Sequence, residues 1–188
     1  VCSSDLFLQL IMMDVLREVS LTTGCTWYVF TDACYEPQDT RGSAGLGAVL
    51  VDQLGRYKGF FSIFLTEDLL AKLNITKRKT IIFECELLAI FVAMTCWSKH
   101  LQDSQVVVCT DNEGVKDSLI ACQTSSDNAT QILCAILQLE FDLRWNAWFS
   151  RVPSESNISD APSRGETQQL LEKGVQQHHI DRKSTRLN

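Results

Sequence analysis

Two aspartates close apolar, β-branched runs: Asp32 in F-T-D-A and Asp111 in V-V-V-C-T-D-N. If the two runs are adjacent strands, their ends can bring the carboxylates within a few ångströms of each other. Like charges that close repel and raise one pKa unless a cation lies between them. A set of hard carboxylate oxygens suits Mg²⁺ better than zinc. Taken singly, each Asp is also readable as a turn or helix-cap acid.

A third acid comes from the run F-E-C-E-L-L-A-I, which holds Glu84 and Glu86. The helix expected here is apolar almost all round, so periodicity does not choose between the two. Around Glu86 the helical neighbours are Ile82, Ala89 and Ala93. The small ones would let the helix approach a sheet closely and aim Glu86 at the strand ends. An acid in such surroundings is costly without a partner. The segment V-P-S-E-S-N-I-S-D-A-P-S-R, residues 152–164, is the most specific in the chain. As plain structure it is a loop in which Asn157 caps a helix.

These residues need a scaffold, and the patterning supplies one. Residues 7–19 predict a short helix, and residues 26–33, aromatic and β-branched, predict a strand. A turn over 36–43 leads to strands at 46–51 and 57–65, joined by a hairpin turn at 52–55. A short helix follows at 66–73, with Thr66 as N-cap and Glu67 and Asp68 in its first turn. After the basic stretch Lys77-Arg78-Lys79 comes a long helix at 81–101, then a buried strand at 105–110. Helices at 113–121 and 128–143, a fifth strand at 148–152 and helical structure from Asn157 onward complete the order. Three meandering strands followed by alternating helices and strands imply an α/β domain with a mixed sheet.

With these motifs in place the chain resembles the type 1 ribonuclease H family, in the branch fused to reverse transcriptases of gypsy-like and related retroelements. The resemblance runs from about Tyr28 to Arg164. It rests on Thr31-Asp32, on E-L-x-A at Glu86-Leu87-Leu88-Ala89, on Thr110-Asp111-Asn112, and on V-P-x-x-x-N-x-x-D-x-x-S-R ending at Arg164. No one of these is specific, but four in the right order on the expected elements are. The E-L-x-A match favours Glu86 over Glu84. The resemblance implies a ribonuclease H-like mixed five-stranded sheet with helices packed on both faces. It implies hydrolysis of the RNA strand of RNA–DNA hybrids with two Mg²⁺ ions, for which Mn²⁺ can substitute. Asp32, Glu86, Asp111 and Asp160 would be the catalytic and metal-binding acids, with Asp32 bridging both ions. Asn112, Asn157 and Arg164 would contact substrate, and a reverse transcriptase domain would precede in the same polyprotein. The alternatives are a catalytically silent connection module of the same fold, or an integrase- or resolvase-type nuclease. The latter commonly use a D-D-E order, against which Glu86 and the N-I-S-D ending at Asp160 argue.

Two departures bear on how substrate is held. Residues 152–156 contain no histidine, where cellular relatives carry one before the last acid. Residues 113–143 contain Lys116 as their only Lys or Arg, where cellular relatives can carry a basic protrusion. The Lys77-Arg78-Lys79 run could touch phosphate, though it also reads as a solvated charge run.

Bulk properties set the remaining bounds. The 188 residues, 45% hydrophobic and 21% charged, suit one soluble domain. The longest apolar run, Cys85 to Cys96, is interrupted by Glu86 and Thr95 and is too short to span a bilayer, so no membrane association is expected. The eight cysteines form no C-x-x-C pair, and several sit in apolar runs as small hydrophobes. A reducing intracellular compartment, cytoplasm or nucleus, fits them best. The ends are expected to be foreign. Residues 1–6 can be encoded by a short DNA whose reverse complement encodes residues 181–185, a pattern resembling sequencing-adapter read-through. The expected organisation is a tail at 1–6, a helix or linker at 7–25, the ribonuclease H-like domain at 26–179 and a tail at 180–188. Without the tail charges, 14 basic residues face 21 acidic ones, a net charge of −7. Such acidity argues against a strong stand-alone nucleic-acid binder.

Overall fold

The computed structural model describes residues 24–36, 43–72 and 81–180. The expected helix at 7–19, the basic run at 77–79, the tail at 1–6 and all but Ile180 of the tail at 180–188 lie outside the described residues.

Five strands form one sheet: β1 (Thr26–Tyr35), β2 (Ala44–Asp52), β3 (Tyr57–Leu65), β4 (Gln105–Thr110) and β5 (Asn146–Arg151). Their spatial order is β3-β2-β1-β4-β5, with β1–β2 and β2–β3 antiparallel and β1–β4 and β4–β5 parallel. This is the expected mixed sheet. The β2–β3 hairpin is closed by Asp52, whose carboxylate accepts from the Leu54 and Arg56 backbone N–H groups at 2.9 and 3.0 Å. Gly55 supplies the positive φ of 74° that the turn requires.

Helices cover both faces. The short α1 (Glu67–Lys72) begins after Thr66, whose hydroxyl accepts from Leu69 N–H as an N-cap does. The central helix α2 (Ile82–Cys96) is buried nearly all round because the sheet lies on one side of it and another helix on the other. The expected helix at 81–101 is not continuous. Trp97 leaves helical geometry at φ −107° and ψ 19°, and α3 (Ser98–Leu101) follows as a separate turn. The Trp97 ring is fully buried, 5.8 Å from Phe61 and 6.0 Å from His178 between ring centroids. Beyond β4 come α4 (Glu113–Ala121) and α5 (Asp127–Leu143), the second packing on α2.

Strand β2 shows how the two faces differ. Ala44, Leu46, Ala48 and Leu50 enter the main core with α2, while Val49 and Val51 join Phe60, Leu170 and Val175 in a smaller core on the opposite face. That second face also carries α6 (Asp160–Ser163) and α7 (Gln168–Glu172). Past α7 the chain pairs along the free edge of β3: Phe60 N–H donates to Gln176 O at 3.0 Å, and His178 N–H to Phe60 O at 2.8 Å. This covers an edge that would otherwise present unpaired backbone groups. Ile180, expected in the foreign tail, packs against the main core. The seven cysteines among the described residues are free thiols. Among the described residues no helix is long and apolar enough to cross a membrane.

Candidate active site

The parallel pairing of β1 with β4 ends at Phe30–Cys109, and β1 runs on without a strand partner on that side. The backbone groups freed there still need partners. Asn157 Nδ2 donates to Thr31 O at 3.0 Å, and the Ala33 N–H donates to the Glu86 carboxylate. The threonine of each T-D pair ties the strand ends together. Thr31 Oγ1 donates to Cys109 O at 3.4 Å, and Thr110 Oγ1 donates to Glu86 Oε2 at 3.3 Å while accepting from Asn112 N–H at 3.2 Å.

The result is a cluster of three acids from three elements. Ligand atoms of Asp32, Glu86 and Asp111 lie within 4.8 Å of one another, with Asp32 and Glu86 buried and Asp111 half-buried. Burial, then the charges of Asp32 and Asp111, pushes the Glu86 carboxyl up to about 9 despite the hydrogen bonds from Thr110 and Ala33. Burial pushes Asp32 up to about 6; the Ser163 hydroxyl and Arg164 oppose this, and the charges of Asp111 and Asp160 add to it. Glu86 so placed holds a proton at neutral pH when nothing else neutralises the cluster. A divalent cation would replace that proton, and oxygen-only donors at this spacing fit Mg²⁺ or Mn²⁺. Glu84, the other acid of α2, points elsewhere and accepts from Ser126 Oγ at 2.9 Å, the residue that caps α5.

Asp160 stands at the rim. Its side chain is 44% exposed, and its Oδ1 accepts from Arg164 Nε and Nη2 at 3.2 and 3.1 Å. It lies near enough for its charge to raise Asp32, but it is outside the three-acid cluster. Arg164 also pairs with Glu36 at 3.5 Å. Asn112 caps α4, its Oδ1 accepting from Val115 N–H at 3.2 Å, beside Asp111. Asn157 is not the N-cap of the helix that follows, a position held by Ser159. It is 5% exposed, and its Oδ1 accepts from Ser159 Oγ at 2.6 Å and Ser159 N–H at 3.3 Å, so both ends of its amide are used internally.

Three contributors were not among the expected site residues. Gly45 and Gly47 face α6, and a Cβ on Gly47 would meet Ser163 N at 2.3 Å and both Pro162 C and Ser159 O at 2.7 Å. Only a strand without side chains there lets the Asp160 segment lie flat on the sheet. Two glycines at alternate positions of one strand are a sequence signal for such an approach. The third is Ser163, fully buried, whose Oγ is 2.5 Å from Asp32 Oδ2.

No family model matches the sequence, and no curated protein matches it. Solved structures do match the fold. LC11-RNase H1 in complex with an RNA/DNA hybrid is 18% identical over 77% of this chain and 99% of that one, with a TM-score of 0.59. RNase H1 from the halophilic archaeon Halobacterium salinarum NRC-1 is 17% identical over 77% and 98%, at 0.56. The N-terminal RNase H domain of rv2228c from Mycobacterium tuberculosis is 14% identical over 80% and 99%, at 0.52. The chain has the ribonuclease H-like fold.

Proposed function

We propose that this domain hydrolyses the RNA strand of RNA–DNA hybrids with two divalent metal ions, and that it derives from a gypsy-like retroelement reverse transcriptase polyprotein. The observation that carries the nuclease reading is the meeting of Asp32, Glu86 and Asp111 at one end of this sheet, buried or half-buried and within reach of a single cation. Asp32 would contact both ions, Glu86 and Asp111 would hold one, and Asp160 would serve the other after parting from Arg164. The ions, when bound, would supply an activated water and stabilise the leaving 3′-oxygen.

The protein's own residues do the rest. Thr110 and the Ala33 N–H orient the Glu86 carboxylate, and Asn157 anchors the loop before Asp160 to the end of β1. We read Asn157 as a positioning residue rather than a substrate contact, because its amide is buried and engaged. Asn112 and Arg164 border the site and remain the candidate substrate contacts. Selection of RNA over DNA would come from the 2′-hydroxyl, which only the RNA strand offers.

The retroelement origin is supported by the residue 152–164 motif, the missing loop histidine and the net charge of −7 without the tails. A domain this acidic would take its substrate from a neighbouring reverse transcriptase domain. The test is cleavage of a labelled hybrid with Mg²⁺ or Mn²⁺, beside duplex DNA, duplex RNA and a chelator control. Metal-dependent cutting of the hybrid alone is expected. No cutting at any metal concentration, with or without a fused hybrid-binding module, would favour the silent connection module.

A further inference from the structure

Ser163 lies outside the acid cluster, yet it is where the two halves of the site join. Its side chain is fully buried, with Oγ 2.5 Å from Asp32 Oδ2 and 2.8 Å from the Asp160 carbonyl. Its backbone is held as firmly. Ser163 O accepts from the buried Cys34 Sγ at 3.2 Å, and Ser163 N–H donates to Ser159 O at 3.0 Å. A Cβ on Gly45 would lie 2.0 Å from Ser163 O, so this strand admits the segment only at a bare backbone. One hydroxyl therefore links β1, which carries Asp32, to α6, which carries Asp160.

We infer that Ser163 is a positioning residue for the metal ligands: it fixes the rotation of the Asp32 carboxylate and sets the distance of the Asp160 segment from it. This rests on the metal-dependent reading of the site. A serine hydroxyl suits the task because it can either donate or accept. When Asp32 is ionised, the single hydroxyl proton is shared between its carboxylate and the Asp160 carbonyl as a three-centre bond; when Asp32 is protonated, the hydroxyl accepts from Asp32 and donates to that carbonyl. A carboxylate tied at one oxygen cannot rotate freely, so ligand geometry is set before the ion arrives. Partners of this kind are typically worth roughly 10–100-fold in metal affinity.

The experiment is Mn²⁺ titration of the full chain, with free Mn²⁺ read by electron paramagnetic resonance, for the wild type, Ser163→Ala and the exposed-serine control Ser156→Ala. Ser163→Ala should bind Mn²⁺ about tenfold more weakly or worse, while Ser156→Ala matches the wild type. In hybrid cleavage, the metal concentration giving half-maximal rate should rise by the same factor. A merely structural loss would lower the amount of competent protein without moving that midpoint. Ser163→Cys, which keeps a weak donor of similar size, should recover part of the affinity. A check that needs no variant to fold is the Ser163 hydroxyl proton in the Mg²⁺-loaded wild type, which should be protected from exchange in the proton NMR spectrum. Equal Mn²⁺ affinity in Ser163→Ala and wild type, or an unprotected hydroxyl, overturns the inference and leaves the nuclease reading intact. Mn²⁺ binding that depends on Ser163 in a protein that cuts no hybrid upholds the inference and sinks the nuclease reading. A wild type that binds no Mn²⁺ overturns both.

Discussion

Asp32 and Asp111 occupy the same step of one parallel ladder, each two residues beyond the last rung, Phe30–Cys109. Their proximity is a consequence of strand register and not of loop conformation. Register is hard to shift, since a slip of one residue would turn every side chain of β1 to the opposite face. Glu86 then reaches this pair from α2, held by Thr110 and the Ala33 N–H.

The first prediction concerns pH. In the folded, metal-free protein Glu86 is raised from 4.5 to about 9, chiefly by burial, and Asp32 from 3.8 to about 6. Both groups bind protons more tightly folded than unfolded, so their contribution to stability is full below about pH 4 and lost as pH rises through 6 and then 9. Melting temperatures in chelator should fall from pH 5 to pH 9, more steeply in the wild type than in Glu86→Gln. At pH 8, metal binding should release about one proton, measurable by calorimetry in buffers of different ionisation enthalpy. Identical pH slopes in the wild type and Glu86→Gln would show that Glu86 is not held protonated.

Removing one of the repelling charges should stabilise the metal-free fold. Asp111→Asn keeps the shape of the side chain and relieves Glu86 and Asp32 of a like charge. A gain on the order of 1 kcal/mol is expected, which for a domain of this size raises the melting temperature by about 2–4 °C. The same variant should lose the stabilisation that Mn²⁺ gives the wild type. A drop in melting temperature in chelator would contradict this.

Gly47→Ala should detach the Asp160 segment. The new methyl would meet backbone atoms of residues 159, 162 and 163, which cannot rotate away as a side-chain tip can. Overpacking of this kind costs about 1–3 kcal/mol, read from denaturant midpoints. Hydrogen exchange should rise in residues 157–165 more than in the β1–β4 ladder. Uniform loss of protection across the sheet would mean that the segment is not the part displaced.

How far the sequence reveals this arrangement depends on the kind of signal. Strands β3 and β4 and helix α4 match their expected spans because polar or turn residues bound each of them. The break at Trp97 is invisible to periodicity, because α2 is buried on nearly every side and offers no polar face to mark where the helix stops. The choice of Glu86 over Glu84 is open on pattern alone and needs the family resemblance. In the structure it follows from Ser126 drawing Glu84 toward α5. Asn157 stands out in the sequence, but its use as an internal clamp depends on β1 outrunning β4, a tertiary fact. The G-x-G spacing of Gly45 and Gly47 signals a close approach without saying of what. The approaching segment lies more than a hundred residues later in the chain.

Weak substrate binding should accompany the acidic surface. Among the described residues, the cations near the site are engaged: Arg164 with Asp160 and Glu36, Arg151 with Glu113, and Lys116 with Glu113 and Asp117. A hybrid should bind with micromolar or weaker affinity at physiological salt, on the order of non-specific binding. Fusion to a basic hybrid-binding module should rescue cleavage by raising local substrate concentration. Nanomolar affinity with a steep salt slope would mean that these cations leave their acidic partners for phosphates, or that the chain holds a separate phosphate-binding surface.

The most direct measurement is cleavage of a hybrid labelled separately on each strand, by the wild type and by Asp32→Asn, with saturating Mn²⁺ and a module that supplies substrate affinity. The account predicts RNA fragments from the wild type only, an intact DNA strand, and no cutting in chelator, with Asp32→Asn folded yet inactive. Undiminished RNA cleavage by Asp32→Asn, or cutting that persists in chelator, would contradict the assignment of the Asp32, Glu86 and Asp111 cluster as the metal-dependent catalytic centre.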